Sequence, residues 1–176
     1  MRLFIAAELP EDLLEALAET SADLRECVKG RYVGTDSLHV TLAFLGEVGG
    51  SRVSAVEAAL VEACTGHDAF RARLAELGYF GRRSEATLWQ GFDAAGQAGF
   101  AALAKDVRAA LRARGFSFDG KPFRAHVTLM RHADVTHGTL PMATTASGVV
   151  QTVTLFKSDL SGKRPVYTPL ASVELR

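Results

Sequence analysis

A four-residue string occurs twice in this chain. It reads His39-Val40-Thr41-Leu42 and, 87 residues later, His126-Val127-Thr128-Leu129. Both copies sit in apolar stretches, HVTLAFLG and HVTLM. An apolar stretch of this length reads as a strand, and a strand puts residues i and i+2 on one face. Each copy therefore presents an imidazole and a hydroxyl side by side, with Val and Leu turned the other way. The spacing is close to half of the 176 residues, and a repeat present only twice is not a solenoid. It predicts two similar lobes related by a pseudo-two-fold axis, with the two strands facing each other across a central cleft.

The flanking pattern repeats as well. Residues 3–8 form a strand, 12–29 a helix and RYV a short extended piece before the first motif. In the second half, residues 87–92 form a strand and 97–114 a helix before the second motif. Leu13, Leu14, Leu17, Leu24 and Val28 recur at helical spacing, as do Phe100, Leu103, Val107 and Leu111. Gly30 and Gly115 are read as helix stops. Ser51 is read as the N-cap of a further helix carrying Val53, Val56, Leu60 and Cys64. Residues 70–77 alternate as a strand, 78–84 read as a Gly/Arg loop, 116–121 as a loop or short extended piece, and 132–148 as a loop. Residues 149–156 and 166–175 are the last two strands, joined by a hairpin over 158–165. The expected fold is α+β: one bilobal domain over residues 1–176, two antiparallel sheets with helices outside.

Composition narrows the class. Twenty basic residues balance twenty acidic ones, which is not the composition of a sequence-independent duplex binder. No apolar run approaches the ~18 residues that span a bilayer. The opening MRLFIAAELPED is too short for a signal peptide. Two cysteines, Cys27 and Cys64, make neither a disulfide framework nor a metal set, and both are read as buried free thiols. The expectation is a cytoplasmic monomer.

His and Thr at alternate positions interrupt two otherwise apolar strands in the same way. A single such histidine is usually a satisfied core residue, but a packing accident need not recur at a half-chain repeat. Two imidazoles can hold opposite protonation states near neutral pH. One removes a proton from an attacking oxygen and the other protonates a leaving oxygen. Thr41 and Thr128 can donate to the nonbridging oxygens of a phosphate between them. This constellation fits in-line displacement at phosphorus. Neither a zinc set nor a serine or cysteine nucleophile motif accompanies it, so no metal and no cofactor is expected.

At these residues the chain resembles the 2H phosphoesterases, most closely their RNA 2′,3′-cyclic phosphodiesterase (2′-5′ RNA ligase) branch. The resemblance runs through RLFIAAELP, RYVGTDSLHVTLAFLGEV, KPFRAHVTLMR, TLFKSDLSG and YTPLASVEL. It implies metal-independent hydrolysis of 2′,3′-cyclic phosphate ends, on RNA or small nucleotides, to 2′-phosphates, with 2′-5′ ligation as the reverse reaction. It makes His39 the proton donor, His126 the acceptor, and Thr41 and Thr128 the phosphate-binding threonines. The near-symmetric motifs do not by themselves say which ring has which role. Tyr32 stands where the family often has Trp, and Ala125 where it often has Pro.

Arg131 follows the second motif, where the family has a basic residue, and is taken as a phosphate ligand. Strict alternation puts it opposite His126 and Thr128, so either the strand ends or twists there or Arg131 does not touch the phosphate directly. Arg124 shares the His126 face and ranks behind it. Phe44 alternates toward Val40 and Leu42 and is assigned to the core. Residues 81–84 and the pair Lys163-Arg164 are candidates to flank the cleft. The competing readings are an RNA-end binding protein with negligible turnover and a phosphodiesterase for a non-RNA cyclic phosphate.

Overall fold

The structure is a computed structural model and describes residues 1–118 and 121–176. The expected extended piece over 116–121 falls partly on residues 119–120, outside the described residues.

Among the described residues two antiparallel sheets carry the fold. The first has the order β3-β1-β8-β9: Val40–Glu47, Arg2–Ala7, Thr152–Asp159 and Val166–Glu174. The second has the order β2-β6-β5-β4-β7: Lys29–Tyr32, Val127–Asp134, Glu85–Phe92, Phe70–Arg82 and Ser147–Val150. Each motif strand lies antiparallel to the strand that opens its own repeat, β3 on β1 and β6 on β5. The chain nevertheless crosses between sheets. β2, from the first half, borders β6, and the C-terminal β8 and β9 complete the first sheet. Each sheet thus takes strands from both halves of the sequence.

Among the described residues three α-helices cover the sheets. α1 (Glu11–Cys27) packs on β2 and β7, α2 (Val53–Cys64) on β8 and β9, and α3 (Ala94–Ala113) on β3, β4, β5 and α2. Their apolar stripes meet the strands in one core that includes Leu3, Ile5, Leu13, Leu17, Leu60, Phe100 and Leu103. The Asp93 carboxylate caps α3 by accepting from Gly96 N at 2.8 Å, and Gly115 closes it at φ +79°, a backbone state that favours glycine.

Several local expectations are corrected. Ser51 is not a cap; it lies within a 3₁₀ turn, Gly50–Arg52, that precedes α2. α1 ends at Cys27, three residues before Gly30. Gly30 belongs to β2, where a Cβ would lie 2.6 Å from Met130 Sδ, so glycine serves close approach to β6 rather than helix termination. Residues 78–82 continue β4 and pair with β5 down to Arg82–Glu85, leaving a two-residue turn. Residues 132–134 belong to β6 and 147–148 to β7. The strand expected over 149–156 breaks at Gln151. Val150 and Val153 are both fully buried; three residues apart, they cannot share one strand face, and they enter different sheets. Cys27 is exposed, whereas Cys64 is buried, its thiol pushed up to about 11 chiefly by burial and secondarily by Asp106.

Candidate active site

His39 and Thr41 come from the first sheet and His126 and Thr128 from the second, and all four line one cleft of about 750 Å³. The two motifs are built alike. His39 Nδ1 bonds Ser37 O at 2.8 Å, and His126 Nδ1 bonds Arg124 O at 2.7 Å. A carbonyl only accepts, so each ring carries its proton on Nδ1 when neutral and leaves Nε2 free to exchange protons. The Thr41 hydroxyl sits 3.0 Å from His39 Nε2.

A bulge follows each threonine. Thr41 pairs with Ala6 and Ala43 with Ile5, so β3 spends two residues against one of β1. Thr128 pairs with Trp89 and Met130 with Leu88, the same insertion in β6. The extra residues are Leu42 and Leu129, and a bulge reverses the alternation beyond it. Leu42 and Ala43 are accordingly both buried, as are Leu129 and Met130. This shift brings Arg131 to the cleft wall beside Thr128, against strict alternation. It also takes Phe44 out of the core: the residue is 45 % exposed, with the Arg2 guanidinium 4.6 Å from its ring centroid.

The cleft is strongly cationic although the chain has no net charge. Arg25, Arg31, Arg131, Lys163 and Arg164 line it, with Asp36 as the one carboxylate among the described lining residues. Such a wall concentrates anions. Burial holds both imidazoles below their ordinary value. The carbonyl bond to each ring opposes that shift, and the nearby Arg131 adds to it. The net effect on each ring favours its neutral form.

Of the other residues singled out from the sequence, Lys163 and Arg164 reach the cleft, on the β8–β9 hairpin. Arg124 does not; its guanidinium lies 4.7 Å from the Trp89 ring. The 81–84 turn does not line the cleft either, and Arg83 donates to Val135 O. Tyr32 lines the cleft edge, with Arg25 5.0 Å from its ring and its hydroxyl donating to Val28 O. Burial raises its pKa, opposed by Arg25.

Arg25, Arg31, Tyr167 and Gln97 were missed. Arg25 lies in the last turn of α1 and Arg31 in β2, and the packing of β2 on β6 brings Arg31 to the cleft. Gln97 has no motif. Its amide donates to Ala125 O at 2.8 Å and accepts from Ala125 N at 2.9 Å, gripping the backbone one residue before His126. Gln97→Leu leaves both backbone groups unpaired, a cost of roughly 1–3 kcal/mol. The expected result is a lower Tm and a kcat reduced about tenfold with KM little changed, because the variant misplaces a ring without removing a phosphate contact. Steady-state kinetics with a thermal melt checks this.

A family model described as LigT like Phosphoesterase matches residues 7–89 and 92–167. The RNA 2′,3′-cyclic phosphodiesterase of Thermus thermophilus is 33 % identical over 195 residues, covering 100 % of this chain and 91 % of the relative. A crystal structure from the same organism superposes with a TM-score of 0.87 at 32 % identity, covering 100 % of this chain and 98 % of that one. Escherichia coli LigT in complex with 3′-AMP gives 0.82 at 30 % identity, with coverage of 99 % and 97 %.

Proposed function

The chain belongs to the LigT-like phosphoesterases, and on that premise we propose that it hydrolyses RNA 2′,3′-cyclic phosphate ends to 2′-phosphates without a metal. Its relative from Thermus thermophilus is named for that substrate. The observation that carries the reading is the convergence of two His-x-Thr pairs on one cation-lined cleft, each ring held through Nδ1.

In this reading Thr41, Thr128 and Arg131 hold the nonbridging phosphate oxygens. His126 Nε2 takes a proton from water as it attacks phosphorus. The P–O3′ bond breaks, and O3′ takes the proton of the His39 imidazolium. Thr41, already beside His39 Nε2, couples phosphate position to ring position. Five basic residues around the cleft oppose a divalent cation and favour an anion directly. Replacing water by a 5′-hydroxyl gives 2′-5′ ligation with the same acid and base. We take residues 1–176 as one catalytic domain, cytoplasmic and monomeric. Among the described residues no helix is long and apolar enough to cross a membrane.

Phosphorus NMR tests the proposal on a short RNA ending in a 2′,3′-cyclic phosphate, incubated with the protein in excess EDTA. The expected product is the 2′-phosphate. A 3′-phosphate would reverse the leaving group, a requirement for metal would remove the two-histidine scheme, and binding without turnover would make the protein an RNA-end binder.

A further inference from the structure

We propose that the flank of His126 carries a second nucleoside subsite, built on the exposed ring of Phe80 and the neighbouring Arg124 guanidinium. It receives the nucleoside whose 5′-oxygen joins or leaves the phosphorus. The inference rests on the two-histidine reading above and deepens it.

The two histidines have different neighbours. His39 stands against a filled aromatic wall. Phe4 lies 5.0 Å from its ring and Tyr167 lies edge-on at 5.5 Å. Phe4 is itself buried and stacks on Phe156 at 5.3 Å. His126 stands against an open wall. Phe80 is edge-on at 5.0 Å and 89°, and Trp89 lies at 6.0 Å. Trp89 is buried, but Phe80 keeps 42 % of its surface exposed.

That open ring stands on a paired strand, 5.1 Å from the Trp89 ring. Phe80 pairs with Thr87 inside the β4–β5 ladder. Behind it, Trp89 is seated over Gly78, where a Cβ would come within 2.4 Å of the indole. The Arg124 guanidinium lies 4.7 Å from the Trp89 ring, and Arg124 is exposed. An isolated exposed phenylalanine needs no explanation. An exposed aromatic ring beside an imidazole, with a cation on the same indole that the ring adjoins, is the composition that binds one nucleotide of a single strand, base on ring and phosphate on cation.

The chemistry says which nucleoside belongs there. The cleft of about 750 Å³ is lined by the β2–β3 connection and the β8–β9 hairpin, and Phe80 does not line it. It suits the nucleotide that bears the cyclic phosphate. In-line displacement puts the attacking and leaving oxygens on opposite sides of phosphorus, so the oxygen served by His126 points toward Phe80. Water needs no aromatic platform; a nucleoside does. In the forward direction a 5′-hydroxyl attacks phosphorus and gives its proton to His126 Nε2. The P–O3′ bond breaks, O3′ takes the His39 proton, and a 2′–5′ diester forms. In reverse the 3′-hydroxyl attacks, the P–O5′ bond breaks, and O5′ is protonated at His126.

The test compares two substrates on the intact protein: 2′,3′-cyclic AMP, which needs one nucleoside site, and 2′–5′-linked ApA, which needs both. Phe80→Ala is expected to lower kcat/KM for ApA at least tenfold more than for cyclic AMP, mainly through KM, and Phe80→Trp to restore it. Equal losses on both substrates, with a shifted pH profile, would make Phe80 only a wall of His126 and overturn the subsite. So would a wild-type protein that turns over cyclic AMP and leaves ApA intact. Failure on cyclic AMP itself would instead take down the two-histidine reading, and the subsite with it.

Discussion

His39→Ala and His126→Ala are each expected to lower kcat/KM on a 2′,3′-cyclic nucleotide by about 10²- to 10⁴-fold, the range for loss of a positioned acid or base. The fold should survive, since both rings sit at the cleft wall and not in the core. The double variant should lose much less than the product of the single losses, because each ring is effective only with its partner in place. The pH profile separates the roles. Wild type should show a bell. The base must be neutral, so rate rises with pH through the base's titration; the acid must be protonated, so rate falls through the acid's. His126→Ala should erase the rising limb and His39→Ala the falling one. Rates measured from about pH 4.5 to 9, a range that brackets the histidine titration, with circular dichroism as the folding control, check this. A single variant that keeps most of the wild-type rate would remove that ring from the mechanism.

Arg131→Met should cost about 10²- to 10³-fold in kcat/KM, the scale for removing one group that stabilises developing charge. A second effect distinguishes this variant from mere loss of a cation. Arg131 helps hold both imidazoles below their ordinary value. Removing its charge relieves both, so the bell should move to higher pH. Arg131→Lys should keep the charge and so the position of the bell, yet recover only part of the rate, since an ammonium lacks the planar fork that meets two phosphate oxygens. A profile that stays in place in Arg131→Met would mean that the guanidinium does not reach the rings, and the phosphate contact would fall with it. The two variants are best measured on one substrate at constant ionic strength, because a cationic cleft makes every rate salt-dependent.

Much of the architecture was legible from the repeat. His39 and His126 at a half-chain spacing were enough to expect two sheets and a cleft between them, and the structure has two antiparallel sheets with both motifs on one cleft. The helices showed through their apolar periodicity, with ends displaced by a few residues. The errors have one kind of cause. Gly30 and Gly78 looked like chain breaks because glycine usually marks one. Both instead sit inside strands where another side chain, Met130 or Trp89, fills the space of the missing Cβ. Val149 to Phe156 looked like one strand because nearly every residue in it suits a strand; the change of partner at Gln151 leaves only a slip in the burial phase. Arg131 looked misplaced because alternation was counted through Leu129, where the ladder inserts a residue.

The sequence by itself determined the candidate groups: the two imidazoles, the two hydroxyls and their pairing on strands. These depend on residue type and on spacing along one strand, which are local. Only the tertiary structure decided what surrounds them. The bulges after Thr41 and Thr128 depend on the strands alongside. The place of Arg31 in the cationic rim depends on β2 leaving its own repeat to lie on β6. The grip of Gln97 on Ala125 joins a helix to a loop 28 residues away, and the open ring of Phe80 depends on a hairpin that the glycines had concealed. Each is a contact between segments distant in the chain, so no window of sequence contains it.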